Sequence, residues 1–518
     1  MQILTHIPVP GNSLDILANA ELYYSQPDPN LNGYAADLGQ GRVVGGGTAI
    51  NQMLYCRGAA SVFDEWAQIS GNDGLKWDSI LDNFRAVNHL ANQSGLNYPE
   101  IVNTSAFGDG PLEVAKYRAL LDLDEPFITE MQSRFDLPEI DFVSGGGIGV
   151  TPGLASVRDT GKNRTRSYAY DSFGYLASAR SNFVLRPDAM ATKINFNGTT
   201  AHSVTYNDTT SGVVHVIQAK EIIVTAGAID TPHLLMVSGV GPSATLQQFG
   251  IPVVLDSPGM GQNLRDHHYA LVEYEAATAQ GTSWKLQYNA SWSAEQETLY
   301  YTNGSGFLGD NYGESFGAFR LPDSVFNGTG DFFPDLPADR PHVALVYTSV
   351  AVLTEPAVNV SVVSAWAGLV QPESHGNVTL GSASIADAPL IYSNYYGAAS
   401  EKAAILYGYK QLRAVLSSDR IMPQHLVREL YPGANVTSDA DIWAAIQNAS
   451  RSWHHPVGTT ALGTVLGADW RVNGTEGLRV VGASAIPYPP TCPIQASVYA
   501  LAHRAAMDIA EADGLNVS

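Results

Sequence analysis

The segment from Glu221 to Val237 constrains this chain most. Glu221-Ile-Ile-Val-Thr225 is a short apolar strand, and Ala226-Gly227-Ala228 is a tight turn of small residues. From Asp230 onward Leu234, Leu235 and Val237 fall at helical spacing. A strand that runs through small residues into a helix is how an α/β sheet offers the N–H groups of a helix N-terminus to a phosphate-bearing ligand. Other segments follow a different pattern. His342–Thr348, Val358–Leu369, Asn377–Leu380 and Leu390–Tyr396 alternate or run apolar, with β-branched and aromatic side chains, which predicts an antiparallel sheet between about 270 and 400. Strands are also predicted at Asn182–Arg186, Ala191–Phe196 and Val213–Ala219. Residues 61–160 read as irregular except for a short helix at Trp77–Asn88. Later helices are predicted at Glu401–Leu416, with Ile405, Tyr409, Leu412 and Leu416 on one face, and at Ala496–Ala512. The last carries Val498, Leu501, Ala502, Ala505 and Ile509 inward, with Gly514 as its C-cap. The fold class is therefore mixed α/β and α+β. No Pro/Gly/Ser-rich linker separates the two parts.

Composition narrows the function. With 28 basic against 50 acidic side chains the net charge is −22, which argues against a nucleic-acid partner or an anionic membrane surface. No apolar run reaches the ~20 residues of a membrane span. The start, Met1-Gln-Ile-Leu-Thr-His, has no basic stretch followed by an apolar core, so no signal peptide is read there. Cys56 and Cys492 are the only cysteines, and they read as two buried thiols rather than one long-range bridge. His267 and His268 lack the carboxylate spacing of a metal site, so they read as structural and no metal is expected. Fourteen Asn-x-Ser/Thr sequons, among them Asn163, Asn197, Asn289, Asn327, Asn435 and Asn473, exceed the roughly four that average composition gives. Sequons are used on exposed loops in the secretory pathway, so the excess points to a secreted glycoprotein whose leader precedes Met1.

Three ordered segments bear on chemistry. The first is Gly41-Arg-Val-Val-Gly-Gly-Gly-Thr-Ala-Ile-Asn51, whose small residues let backbone amides approach a ligand closely. The second runs from Ala226-Gly-Ala-Ile-Asp-Thr-Pro-His233 into Asp256-Ser-Pro-Gly-Met-Gly-Gln-Asn-Leu-Arg-Asp-His267. The third is Trp453-His-His-Pro-Val-Gly-Thr459, followed by Gly477-Leu-Arg-Val-Val-Gly-Ala-Ser484. In order and spacing they resemble the flavin loop, the second signature and the C-terminal catalytic loop of the glucose–methanol–choline (GMC) oxidoreductases. The resemblance covers essentially the whole chain from Gly41 onward.

The resemblance implies an FAD-binding α/β domain and an antiparallel-sheet substrate domain. Residues 1–270 would form the FAD-binding region with a substrate-domain excursion near 61–160. Residues 271–440 would form the substrate domain, and 441–518 would return to the FAD domain with the catalytic loop. It implies FAD as cofactor, with Val44, Gly45, Thr48 and Asn51 facing the flavin, Ala191 at the adenine, and Ala483 and Gln495 lining the flavin from the C-terminal side. The family's base, which takes the alcohol proton as hydride leaves, falls on His455. An imidazole suits that work because its pKa lies near working pH. His454 reads as a positioning or substrate-wall residue. The implied reaction is oxidation of a CH–OH group of a small organic alcohol, with specialised metabolism as one setting and the electron acceptor open.

Three departures leave alternatives. The family's opening βαβ unit lies outside this chain, and Gly482 stands where the family usually has Asp. Pro493, which lacks any side-chain donor or acceptor, stands where the family has its second catalytic His or Asn. A non-redox cyclase or lyase with a structural flavin, or an inactive flavin-free homologue, therefore stays open beside the oxidoreductase.

Overall fold

The computed structural model describes residues 19–515, apart from 92–100, 119, 310–314, 331–334, 356 and 358. The expectation for Met1–His6 lies outside the described residues, as does the start of the strand expected from Val358.

Helices α1 (Ala60–Ser70) and α2 (Trp77–Val87) bury Val62, Phe63, Trp66, Ile80 and Phe84, with Trp66 and Phe84 each packed edge-to-face against Phe63. Each such side chain is worth roughly 1.5–3 kcal/mol when fully buried. Gly71, at φ +71°, ends α1. Helix α3 (Asp124–Phe135) buries Phe127 and Met131, four residues apart. Strand β1 (Gly149–Thr151) follows. Strands β2 (Ala189–Asn197), β3 (Thr200–Asp208) and β4 (Val214–Gln218) form an antiparallel meander. Strand β5 (Ile222–Val224) leads into helix α4 (Gly227–Val237), as the pattern of residues 221–237 predicts. Then come β6 (His268–Ala276), β7 (Phe316–Phe319), β8 (Val343–Thr348), β9 (Val362–Leu369) and helix α5 (Ala399–Leu416). Strand β10 (Leu426–Tyr431), helix α6 (Asp439–Ala449) and strands β11 (Ser450–Ser452) and β12 (Leu478–Val480) precede the final helix, α7 (Gln495–Ala512).

Strands β5 and β12 pair in parallel, so the early and late parts of the chain share the nucleotide-type sheet. The larger sheet is antiparallel, in the order β10-β6-β9-β8-β7-β1, with β11 also on β6. Its pleat sorts side chains to two faces. Val343, Leu345 and Tyr347, with Ala270, Val272 and Tyr274, meet α3, α5 and α6. Ala344, Val346, Leu271 and Trp366 project to the other face, where Trp453 and both cysteines lie. That second face carries the site.

Several expectations are corrected. Asn182–Arg186 is irregular, with Phe183, Val184 and Leu185 exposed, and no described strand pairs with it. An apolar run makes a strand only where a partner takes its N–H and C=O groups. Residues 60–70 and 124–135 are helical rather than irregular. Ala502 points outward from α7, although Leu501 and Ala505 point in. The two cysteines are not thiols. Cys56 and Cys492 form a disulfide with Cα atoms 6.0 Å apart, buried against the site face of the sheet. A separation of 436 residues hides such a pairing from sequence, because only the fold brings the two segments together.

Candidate active site

Register brings the catalytic loop to the second signature. Ser452 lies opposite His268 where β11 pairs with β6, and Val457 bridges Arg265, so residues 452–457 run antiparallel to 265–268. Asp266 lies between the two segments. One of its carboxylate oxygens accepts the His455 backbone N–H at 2.9 Å, and the other accepts the hydroxyls of Tyr395 and Ser452. Burial raises the Asp266 pKa, which those donors and nearby His454 partly oppose. Residue His454 turns at φ +59°, with its N–H on Ser452 Oγ at 2.8 Å. The turn sends His454 outward and His455 inward, where it is half-buried.

Among the described residues the His455 ring has one hydrogen-bond partner: its Nδ1 lies 2.9 Å from Nδ1 of His267. The Trp453 ring stacks on it with centroids 5.7 Å apart. Burial, reinforced by the neighbouring histidines, pushes the His455 pKa well below its ordinary value, so the ring is neutral at pH 7. His267 is completely buried, and desolvation lowers its pKa to about 4. Trp366 and Tyr269 extend the wall, each within 6 Å of the Trp453 ring. The His455 ring is therefore bordered by an aromatic cluster.

The small-residue segments meet next to this. Val481 N–H reaches Val224 O at 3.1 Å, Thr459 Oγ1 reaches Ala228 O at 2.6 Å, and Thr460 N–H reaches Ser484 O at 2.9 Å. These bonds bring the α4 N-terminus, the catalytic loop and residues 482–484 together. The glycine loop is fixed from the other side. Asn51 Nδ2 donates to Gln495 Oε1 at 3.0 Å, Arg166 donates to Asn51 Oδ1 at 2.7 Å, and Thr48 Oγ1 accepts the Ala169 N–H at 3.1 Å. The Gln495 amide also donates to Leu54 O at 2.8 Å.

This architecture matches two family models described as GMC oxidoreductase, one over residues 18–124 and 155–269 and one over residues 372–502. The patulin synthase of Aspergillus clavatus is 30% identical over 519 residues, a match covering 95% of this chain and 81% of that protein. The chain belongs to the GMC oxidoreductase family. Versicolorin B synthase of Emericella nidulans is also 30% identical, over 94% of this chain and 78% of its own length. An FAD-dependent oxidoreductase from Chaetomium thermophilum superposes with a TM-score of 0.83 at 25% identity, covering 95% and 90% of the two chains. The Aspergillus oryzae formate oxidase shares the fold, with a TM-score of 0.86 at 22% identity over 98% and 91%.

The Chaetomium thermophilum neighbour is FAD-dependent by name, and the residues present in this chain fit a flavin. A Cβ added at Gly46, Gly47 or Gly482 would meet nothing within 4 Å, so the backbone there stands open to a docked ring or phosphate. Gly482, at φ +111°, sits in a region that the family's usual Asp would adopt only under strain. Thr225 and Ala226, at the start of α4, are exposed. Beside them, buried Gln40 Nε2 and Ser484 Oγ have no hydrogen-bond partner within the described protein, as befits groups that bond a ligand.

Of the residues expected at the site, Thr48, Asn51 and Gln495 share one hydrogen-bond network. Val44 is exposed, Gly45 is left-handed at φ +102°, and Ala483 opens the turn after Gly482. Ala191 stands apart on β2, half-buried against the core around Val224 and Leu235. Pro493 is buried between Cys492 and the start of α7. The sequence reading missed Arg166, Asp266 and the disulfide, and it read His267 as merely structural. The only sequence signal for His267 was its place at the end of the second signature.

Proposed function

We propose that this chain oxidises a CH–OH group of a small, apolar or aromatic alcohol, with FAD as the redox cofactor and His455 as the base. The observation that carries the reading is His455 itself: a neutral, half-buried imidazole stacked on Trp453, in the segment that bonds to the turn at Gly482 with its open backbone. FAD, when bound, supplies the acceptor for the hydride that leaves the carbinol carbon. His455 accepts the hydroxyl proton, so the two electrons and one proton of the hydride and the remaining proton are all accounted for. Trp453 and Trp366 exclude water and orient the substrate. Asp266 holds the loop through the His455 amide. Val44, Gly45, Thr48, Asn51, Ala483 and Gln495 would hold the flavin, and Ala191 the adenine end.

In a flavin-loaded preparation, anaerobic alcohol should bleach the visible flavin band. His455→Ala should lower the bleaching rate by about 10²–10⁴-fold while leaving flavin content unchanged. Bleaching at the parent rate in His455→Ala would overturn the assignment. The names of the relatives, patulin synthase and versicolorin B synthase, favour a role in specialised metabolism. Pro493 favours a second reading, a non-redox cyclase or lyase in which His455 still moves a proton.

The disulfide and the sequons favour a secreted glycoprotein, since disulfides persist in oxidising compartments. Asn163, Asn197, Asn327, Asn435 and Asn473 are exposed, while Asn289 is half-buried as the cap of the helix that follows it. Among the described residues no helix is long and apolar enough to cross a membrane.

A further inference from the structure

A count of protons around His267 fixes which nitrogen of His455 can act. His267 Nε2 lies 2.8 Å from Pro490 O and 3.0 Å from Val370 O. Carbonyl oxygens only accept, so this nitrogen carries hydrogen. The ring is completely buried, with no carboxylate among the described residues hydrogen-bonded to either nitrogen, and a buried imidazole without such a partner is neutral. Its Nδ1 therefore holds a lone pair. The His455 Nδ1, 2.9 Å away, can fill that contact only as an N–H donor. The remaining nitrogen of His455, Nε2, is then the one with a lone pair, and it meets no hydrogen-bond partner among the described residues.

We propose that His267 is a positioning residue: it holds His455 as the Nδ1–H tautomer and so leaves Nε2 as the proton acceptor toward substrate. The proposal rests on the reading of His455 as the base. A second effect has the same sign. When His455 gains a proton at Nε2, its Nδ1–H becomes a charge-assisted donor, and His267 already offers the acceptor. The chain anchors this contact at both ends. Val370 directly follows β9, and Pro490 precedes the disulfide-bonded Cys492, so the His267 ring is held by the sheet and by the C-terminal loop together. Without His267, the His455 ring would revert to the Nε2–H form that neutral imidazole side chains favour in water, which has no lone pair at the substrate.

The test uses the flavin-loaded protein labelled with ¹⁵N in its histidines, with His455→Gln identifying the His455 signals. Wild-type His455 should show Nε2 as the unprotonated nitrogen and Nδ1 as the protonated one. His267→Asn places an amide oxygen where Nδ1 was, so it should keep that tautomer and lose less than about tenfold in kcat. His267→Leu removes the acceptor; its His455 should shift to Nε2–H, and kcat should fall about 10²-fold with KM little changed. A wild-type spectrum with hydrogen on Nε2 would overturn the proposal without any variant being made. Equal kcat for the Asn and Leu variants, both folded and flavin-loaded, would overturn it too. The reading of the base fails separately, if His455→Gln turns over at the wild-type rate.

Discussion

Acidification from pH 7 to pH 5 is expected to strip several kcal/mol from the stability of this protein, because it keeps an unusual set of histidines neutral inside. Burial lowers the pKa of His233 and His267 to about 4, and of His268 and His342 to about 3. The geometry agrees. Nδ1 of His342 already accepts the Leu321 N–H at 3.0 Å, and His233 makes no hydrogen bond within the described protein. With folded pKa values below the unfolded one near 6.5, the unfolded chain binds more protons. The stabilisation is thus present above pH 6.5 and is lost as pH falls toward 4. For one such histidine the loss between pH 7 and pH 5 is about 2 kcal/mol, so these four alone would lose roughly 7–8 kcal/mol. Burial raises the pKa of Asp230, Asp266 and Glu401, which works in the opposite sense, since the folded state holds their protons more tightly as pH falls. Four depressed histidines outweigh three raised carboxyls in number, so a net loss on acidification is expected. Thermal unfolding followed by near-UV circular dichroism at both pH values should show Tm falling by several degrees. His233→Leu, which replaces an unbonded ring with an apolar side chain, should flatten the slope by about one proton. A Tm that holds or rises at pH 5 would refute the burial argument.

Two further outcomes follow from the C-terminal loop. Cys56→Ser with Cys492→Ser should lower stability by about 2–5 kcal/mol, because the bridge closes a very long loop. The bridged protein, expressed with a leader in a eukaryotic host, should reach the medium and lose mass on enzymatic deglycosylation; unmodified protein with free thiols would defeat the secreted reading. Pro493→His places a hydrogen-bonding side chain where the resemblance to the family implies one. In an oxidoreductase weakened at this position, alcohol oxidation should rise. In a non-redox enzyme it should stay absent and the native turnover should fall, so measuring both reactions on one preparation decides between the readings.

Much of the architecture was legible because its periodicities are local. The β5–α4 unit, strands β8 and β9 and helices α5 and α7 lie close to where the apolar spacing predicted them. What escaped was non-local. Helix α1 buries Trp66 and Phe63, but it reads poorly because a glycine-rich stretch precedes it and no polar N-cap marks its start. Phe183, Val184 and Leu185 read as a strand from composition alone and failed for want of a partner. Cys56 and Cys492 could be paired only by folding, as could Asn51 and Gln495, which lie 444 residues apart.

His267 shows the same limit at the site itself. The sequence reads His267, like His268, as structural, but successive side chains along extended backbone point to opposite faces. His268 stacks on Tyr395 with centroids 4.4 Å apart, and His267 turns instead to His455. The register between 265–268 and 452–457, and not adjacency in sequence, makes the functional pair. This also bears on Pro493. On the proposed reading of His455 as the base, a proline at 493, which offers no side-chain donor, leaves proton removal to the His455 lone pair and to the residue that holds it in place. On that reading this chain should be more sensitive at His267 than its own Pro493→His variant.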